Sequence, residues 1–281
     1  MRYLSGVTAT SHIDRQNERF TLECLRDMVE QINRSYIPVL YEHDPRIAPL
    51  GRTVGAKLIE LPDGEFAVET TSQMFEESDI IPFRDDGREM PLNVPPTGRI
   101  ELAYDLSYDN PEDLSDLEQL GKSLDAGLSY RRKKALEPLS VLEIVVSVAL
   151  GNIAAGFLSK IGEDAWDMIK SRLAALIQRK RRQEEEYLIQ FTFNVRENER
   201  VLSLDTILTS PSEEHIDQFV REGLDLLDQL APEYMDSDPN LVKVVHTFSD
   251  GRVFISFGVR KDAVPLFPRS DRSWREARDT T

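Results

Sequence analysis

The chain has 281 residues, 40% of them hydrophobic, which is long enough for more than one domain and apolar enough for each to bury a core. Its 50 acidic and 34 basic residues give a net charge of −16, which excludes a surface that grips nucleic acid or an anionic membrane along its whole extent. A single cysteine, Cys24, excludes an internal disulfide and suits a reducing compartment; the opening residues lack the apolar core and cleavage site of a secretory signal, so a cytoplasmic protein is expected.

Charge divides the chain into zones: residues 1–130 carry −13, residues 131–182 carry +6 and residues 183–281 carry −9. The first zone opens with a strand over Tyr3–Thr10. In "FTLECLRDMVEQINRSY", Thr21 caps a helix with Leu22, Leu25, Met28, Val29 and Ile32 at helical spacing, and Cys24 reads as a small core residue. "YIPVLYE" is a short strand, and "RTVGAKLIELPDGEFAVETTSQ" is a hairpin turning at Pro62–Glu65 on its Asp-Gly step. Glu76–Pro96, acidic and Pro-rich, reads as a loop, "GRIELAYDLSY" as a strand and Leu114–Leu124 as a helix leading to "AGLSYRRKK". A small barrel or curled sheet is the natural closure.

The second zone begins with about twenty largely apolar residues, Leu139–Leu158. On a helix, Ser147, Gly151, Ala155 and Ser159 would form a stripe of small side chains that lets helices approach closely, in protein or in lipid; Glu143 and Asn152 are costly in hydrocarbon. An amphipathic helix through Trp166, Ile169, Leu173, Leu176 and Ile177 follows and ends in "RKRR", a solvated helix end or an interface with acidic parts of the chain, a membrane surface or an acidic partner. The expectation is a buried helical hairpin that also serves self-association, with membrane contact as the alternative. In the third zone "EYLIQFTFNV" alternates as a half-buried strand, "RVLSLDTILT" is a second strand, and Ser210, Pro211 and Glu213 start a helix. "NLVKVVHTFSDGRVFISFGVR" is a closing hairpin. The reading is an α+β protein with a β-rich, barrel-like domain over 1–135, a central helical segment over 136–183, a β-β-α-β-β domain over 184–268 and a flexible tail over 269–281.

The four histidines, His12, His43, His215 and His246, are scattered, and no paired cysteine spacing, phosphate loop, dinucleotide fingerprint or nucleophile elbow is present. No metal or cofactor is therefore expected. What remains is His43 as a base with Ser129 far downstream as a nucleophile, beside the plainer readings of a loop histidine flanked by Glu42 and Asp44 and a strand or turn serine.

The opening strand, "HIDRQNERFTLECLRDM", the strand into "EHDPRIAPLG", the hairpin and "GLSY" before an apolar run resemble the tailed-phage prohead maturation proteases, relatives of the herpesvirus assemblins. That resemblance covers about the first 45% of the chain. It implies His43 as base, Gly51 as the glycine step, Ser129 as nucleophile and Glu143 or Asp44 as the group orienting the base. The chain departs from the pattern at Arg131, where the family has glycine. The resemblance and the additional zones suggest a protein of host–mobile-element conflict that cleaves or recognises another protein. A non-catalytic recognition or oligomeric scaffold protein and a membrane-active effector using 139–158 are the alternatives.

Overall fold

The computed structural model describes residues 2–13, 19–76, 81–96, 99–108, 110–124, 126–130, 139–161, 163–182, 186–268 and 274–275. The α+β class is observed, but the chain divides into two compact units: Met1–Tyr41 with Ile47–Pro91 and Val259–Thr281, and Glu42–Arg46 with Leu92–Gly258.

In the first unit, β1 (Arg2–Thr10), α1 (Leu22–Arg34), β2 (Ile37–Val39), β3 (Gly51–Glu60) and β4 (Phe66–Met74) follow the expected order. The Thr21 hydroxyl accepts the Cys24 amide hydrogen and so caps α1. Leu25 is fully buried while Cys24 is exposed: only one stripe of α1 meets the sheet, and Cys24 lies about 100° round the helix from Leu25. The sheet is antiparallel in the order β1-β4-β3-β2, with β1 and β2 as its edges. The strands that a barrel-like closure would draw on after residue 96 belong instead to the second unit.

The first unit is completed by the end of the chain. Arg52 on β3 and Asp262 are both fully buried and meet at 2.7 Å, with the Arg52 Nη1 donating also to the Asp262 carbonyl. Arg260 Nε reaches the other Asp262 oxygen at 3.0 Å, and its Nη2 donates to the Ile81 carbonyl. Arg52 also lies over the Tyr36 ring at 4.7 Å and donates to Gln73. One buried carboxylate thus serves two guanidinium groups, whose remaining charge meets carbonyls, an amide and a π-face.

The second unit contains β5 (Ile100–Tyr104), α2 (Pro111–Ser123), β6 (Gly127–Tyr130), β7 (Ser140–Ala149), α3 (Ile153–Ile161), α4 (Glu163–Arg182), β8 (Tyr187–Glu197), β9 (Arg200–Thr209), α5 (Glu213–Gln218), α6 (Leu224–Ser237), β10 (Leu241–Ser249) and β11 (Arg252–Arg260), whose last two residues belong to the first unit. Its sheet runs β11-β10-β9-β8-β7-β5-β6. Three parallel neighbours, β5 with β6, β7 with β8 and β9 with β10, are each joined through helices, while β5–β7 and β8–β9 are antiparallel. The β-β-α-β-β order from residue 187 onward is as expected, with the helix beginning later: Ser212 caps α5 by accepting the His215 amide hydrogen, and Ser210 sits at φ +42. The Pro211 carbonyl accepts from the Tyr187 hydroxyl at 2.6 Å, which holds the turn ahead of the helix.

The central zone departs most from the sequence reading. Ser140–Ala149 is a strand, Gly151 turns the chain at φ +69, and only then does α3 begin. Ser147, Gly151, Ala155 and Ser159 therefore fall on a strand, a turn and a helix and form no single stripe. The density of β-branched residues from Val141 to Val148 favours the extended chain, and residues Ser140–Val148 are buried throughout, as a strand covered on both faces requires. Among the described residues no helix is long and apolar enough to cross a membrane. Trp166, Ile169, Leu173, Leu176 and Ile177 are buried, as the face of an amphipathic helix packed on the rest of the chain requires. "RKRR" docks on acidic α2: Arg179 Nε meets Asp113 at 2.6 Å and Lys180, buried, lies 4.5 Å from the Tyr108 ring centre. The matching "RRKK" at 131–134 lies outside the described residues.

Strand β8 alternates as predicted, but both of its faces are buried from Tyr187 to Val195. One face, through Phe191 and Phe193, meets Phe157 of α3 in edge-to-face contacts at 6.2 and 5.7 Å, and Phe191 meets Phe219 at 4.9 Å. The other carries Gln190, Thr192 and Asn194.

His246 on β10 is wholly buried. Its Nδ1 donates to the Asp205 carbonyl and its Nε2 accepts from the Tyr234 hydroxyl, so the ring is neutral, and burial pushes its pKa from 6.5 down to about 4. Below pH 6.5 the unfolded chain takes up a proton that the folded chain refuses until about pH 4, so stability is present above this window and falls through it. The expected loss is about 3 kcal/mol, read as a fall in urea midpoint between neutral pH and pH 4, and His246→Gln should flatten that dependence. Asp262→Ala, which strands two buried guanidinium groups, should cost about 3–5 kcal/mol in the same assay.

Candidate functional site

His43 lies in an exposed turn after β2, at φ +57, and Glu42 before it is at φ +46. Two successive non-glycine residues in the left-handed region cost on the order of 1 kcal/mol each, so surrounding contacts must hold the turn. Those contacts centre on Asp44. Arg46 donates to it through Nε and Nη2, the latter at 2.7 Å, and forks onward to Glu186 at 2.8 and 2.9 Å. The guanidinium beside Glu186 lowers that carboxyl's pKa. Asp44, one of the two groups considered for orienting His43, is thus clamped by Arg46. Gly51 opens β3 where β4 runs close: a Cβ there would stand 2.5 Å from the Gln73 carbonyl oxygen. Close strand packing is by itself a reason for glycine at this position.

Ser129 is on β6 in register with Ala103 of β5, and Ala103 is in register with Glu143 of β7. Ser129 and Glu143 therefore share a row across three strands, with backbones two strand spacings apart, roughly 10 Å. The Ser129 side chain lies outside the described residues. Glu143 is buried and belongs to a polar row that runs along the same face of β7, β8, β9 and β10. Its Oε1 accepts from the Thr192 hydroxyl at 2.9 Å and from Gln190 at 3.3 Å. The Gln190 amide also donates to Asp205 at 2.9 Å. Asp205 in turn accepts from Ser203 at 3.0 Å and from Lys243 Nζ at 2.7 Å. Further along the face, Ser147 donates to the Pro95 carbonyl and Asn194 to that of Asn93, which brings the segment after Pro91 across the sheet.

Two carboxylates tied by one amide, one of them paired with a lysine, form a hydrogen-bond network that fixes strand register. Buried polar groups are tolerated where they meet partners, as Gln190 and Thr192 do at Glu143, which is one reason polar residues on β8 are covered. Sequence reading singled out Glu143 and missed Gln190, Thr192, Asp205 and Lys243. The available signal was polar residues at alternate positions of two adjacent strands, "IQFTFN" and "LSLD".

Two adjoining clefts of about 540 and 550 Å³ open around the start of α5 and share Ser212, Glu214 and Asp217. Asp217 accepts from Trp166 Nε1 at 3.1 Å and pairs with Lys170 and Arg221. Among the described side chains, neither His43 nor Glu143 lines either cleft. Among the described residues no group of three or more His, Cys, Asp or Glu side chains is placed to hold a metal ion.

No family model matches the chain, and no curated protein and no solved structure is found to be similar to it.

If the polar row is structural, Asp205→Ala, which leaves Lys243, Ser203 and Gln190 each short of an acceptor, lowers unfolding free energy by about 3 kcal/mol. Denaturant titration of the purified variant reads this directly.

Proposed function

We propose that the chain recognises or scaffolds another protein and does not hydrolyse it. The observation that carries this reading is the engagement of Glu143, whose carboxylate accepts hydrogen bonds from Thr192 and Gln190 inside the sheet. A group that orients a catalytic base accepts from that base's ring nitrogen, and the Glu143 Oε1 already accepts from two side chains of β8. Asp44, the other candidate, is held by Arg46, and His43 lines neither cleft at α5. The prohead-protease-like reading of the N-terminal part enters this proposal as an architecture used for recognition.

Serine nucleophiles activated by a histidine react covalently with fluorophosphonates, because attack at phosphorus mimics attack at a carbonyl. Exposure of the full chain to a fluorophosphonate probe is expected to leave its intact mass unchanged, with wild type, Ser129→Ala and His43→Ala alike. A probe adduct mapped to Ser129 and lost in both variants would establish an activated nucleophile and overturn the recognition reading.

A further inference from the structure

The two edges of the first unit's sheet are unlike each other. β2 has three residues, one of them Pro38, the usual means of blunting an edge. β1 has nine residues, no proline and no acidic side chain, and its only charge is Arg2 at one end. Its residues from Arg2 to Thr8 are exposed on both faces. Of the eight large hydrophobic side chains exposed among the described residues, Tyr3, Leu4, Val7 and Ile13 fall on or just after this strand, which concentrates apolar surface at one place.

The far end of β1 has the opposite charge. Ser11 donates to Glu65, and His12 meets Asp63 at 2.8 Å, so the tip of the β3–β4 hairpin brings Asp63 and Glu65 beside the end of the strand. Arg19 pairs with Glu65, while Asp63, with its side chain 58% exposed, faces solvent. Arg2 stands about 27 Å away along the same strand, at a rise of about 3.4 Å per residue, too far to compensate Asp63 within one chain.

We propose that β1 pairs antiparallel with β1 of a second copy of this chain, about a two-fold axis near Gly6. This register places Arg2 of each copy beside the Asp63–Glu65 tip of the other, twice over. Tyr3 falls opposite Ala9 and Val7 opposite Ser5 of the other copy, and the two sheets join into one of eight strands. A parallel pairing would instead set Arg2 against Arg2.

Sedimentation equilibrium of the full chain over a range of concentrations tests this. The expected result is a monomer–dimer equilibrium that Val7→Lys abolishes by placing lysines near the axis, with circular dichroism and melting temperature close to wild type. Arg2→Glu should raise the dimer Kd about tenfold, and the double variant Arg2→Glu/Asp63→Arg should restore it, a rescue that only contact between copies provides. A wild-type chain that remains monomeric at about 100 μM, or a dimer indifferent to Val7→Lys and Arg2→Glu, overturns the proposal. So does a monomer whose β1 instead captures an extended peptide, which would assign the edge to a different protein.

Discussion

The carboxylate of Asp262, buried between Arg52 and Arg260, closes the first unit. It joins residues 210 positions apart and ties the segment around Asp262 to β3. A backbone hydrogen bond from Met90 to the Lys261 carbonyl sets the departing and returning segments side by side, so everything from Leu92 to Gly258 folds between two neighbouring points. Burying a charge trio has a large desolvation cost, offset here by the hydrogen bonds of Arg52 and Arg260 to Asp262, Gln73 and Ile81 and by the Tyr36 ring, with the Arg52 Nη2 left without a hydrogen bond. Such a trio tolerates little substitution, which suits an element that fixes where one unit ends and the other begins.

The second unit solves a different problem. Three parallel strand pairs connected through helices give its sheet an aromatic face, with Phe157 against Phe191 and Phe193 and Phe191 against Phe219. The opposite face is buried too, and polar. Its row from Glu143 to Lys243 is satisfied strand to strand, which pins register because a slip of one residue would turn every member away from its partner. Glu143 takes part in that row through its Oε1.

Much of the fold is legible from local pattern. Strand alternation, the Asp63-Gly64 hairpin, the Thr21 cap and the β-β-α-β-β order of the third zone each depend on residues within a few positions of one another. The central zone is misread for a physical reason. An apolar run buried on both faces carries no periodicity to separate strand from helix, and Leu139–Leu158 contains both. Cys24 and Ser210 show the same limit on a smaller scale, since burial and cap position depend on which neighbour arrives. The basic end of α4 looked like a solvated terminus or an interface, and the acidic face of α2 made it an interface.

By itself the sequence determined the α+β class, the order of most elements and the separation of charge into zones, because these follow from side-chain spacing and composition. Tertiary structure alone decided that the chain's two ends share a unit, that β5 and β6 join the larger sheet, and that Glu143 meets Thr192 and Gln190. Each of these is a contact between residues far apart in sequence, and a linear pattern carries no record of which distant partner a buried charge or an open strand edge will find.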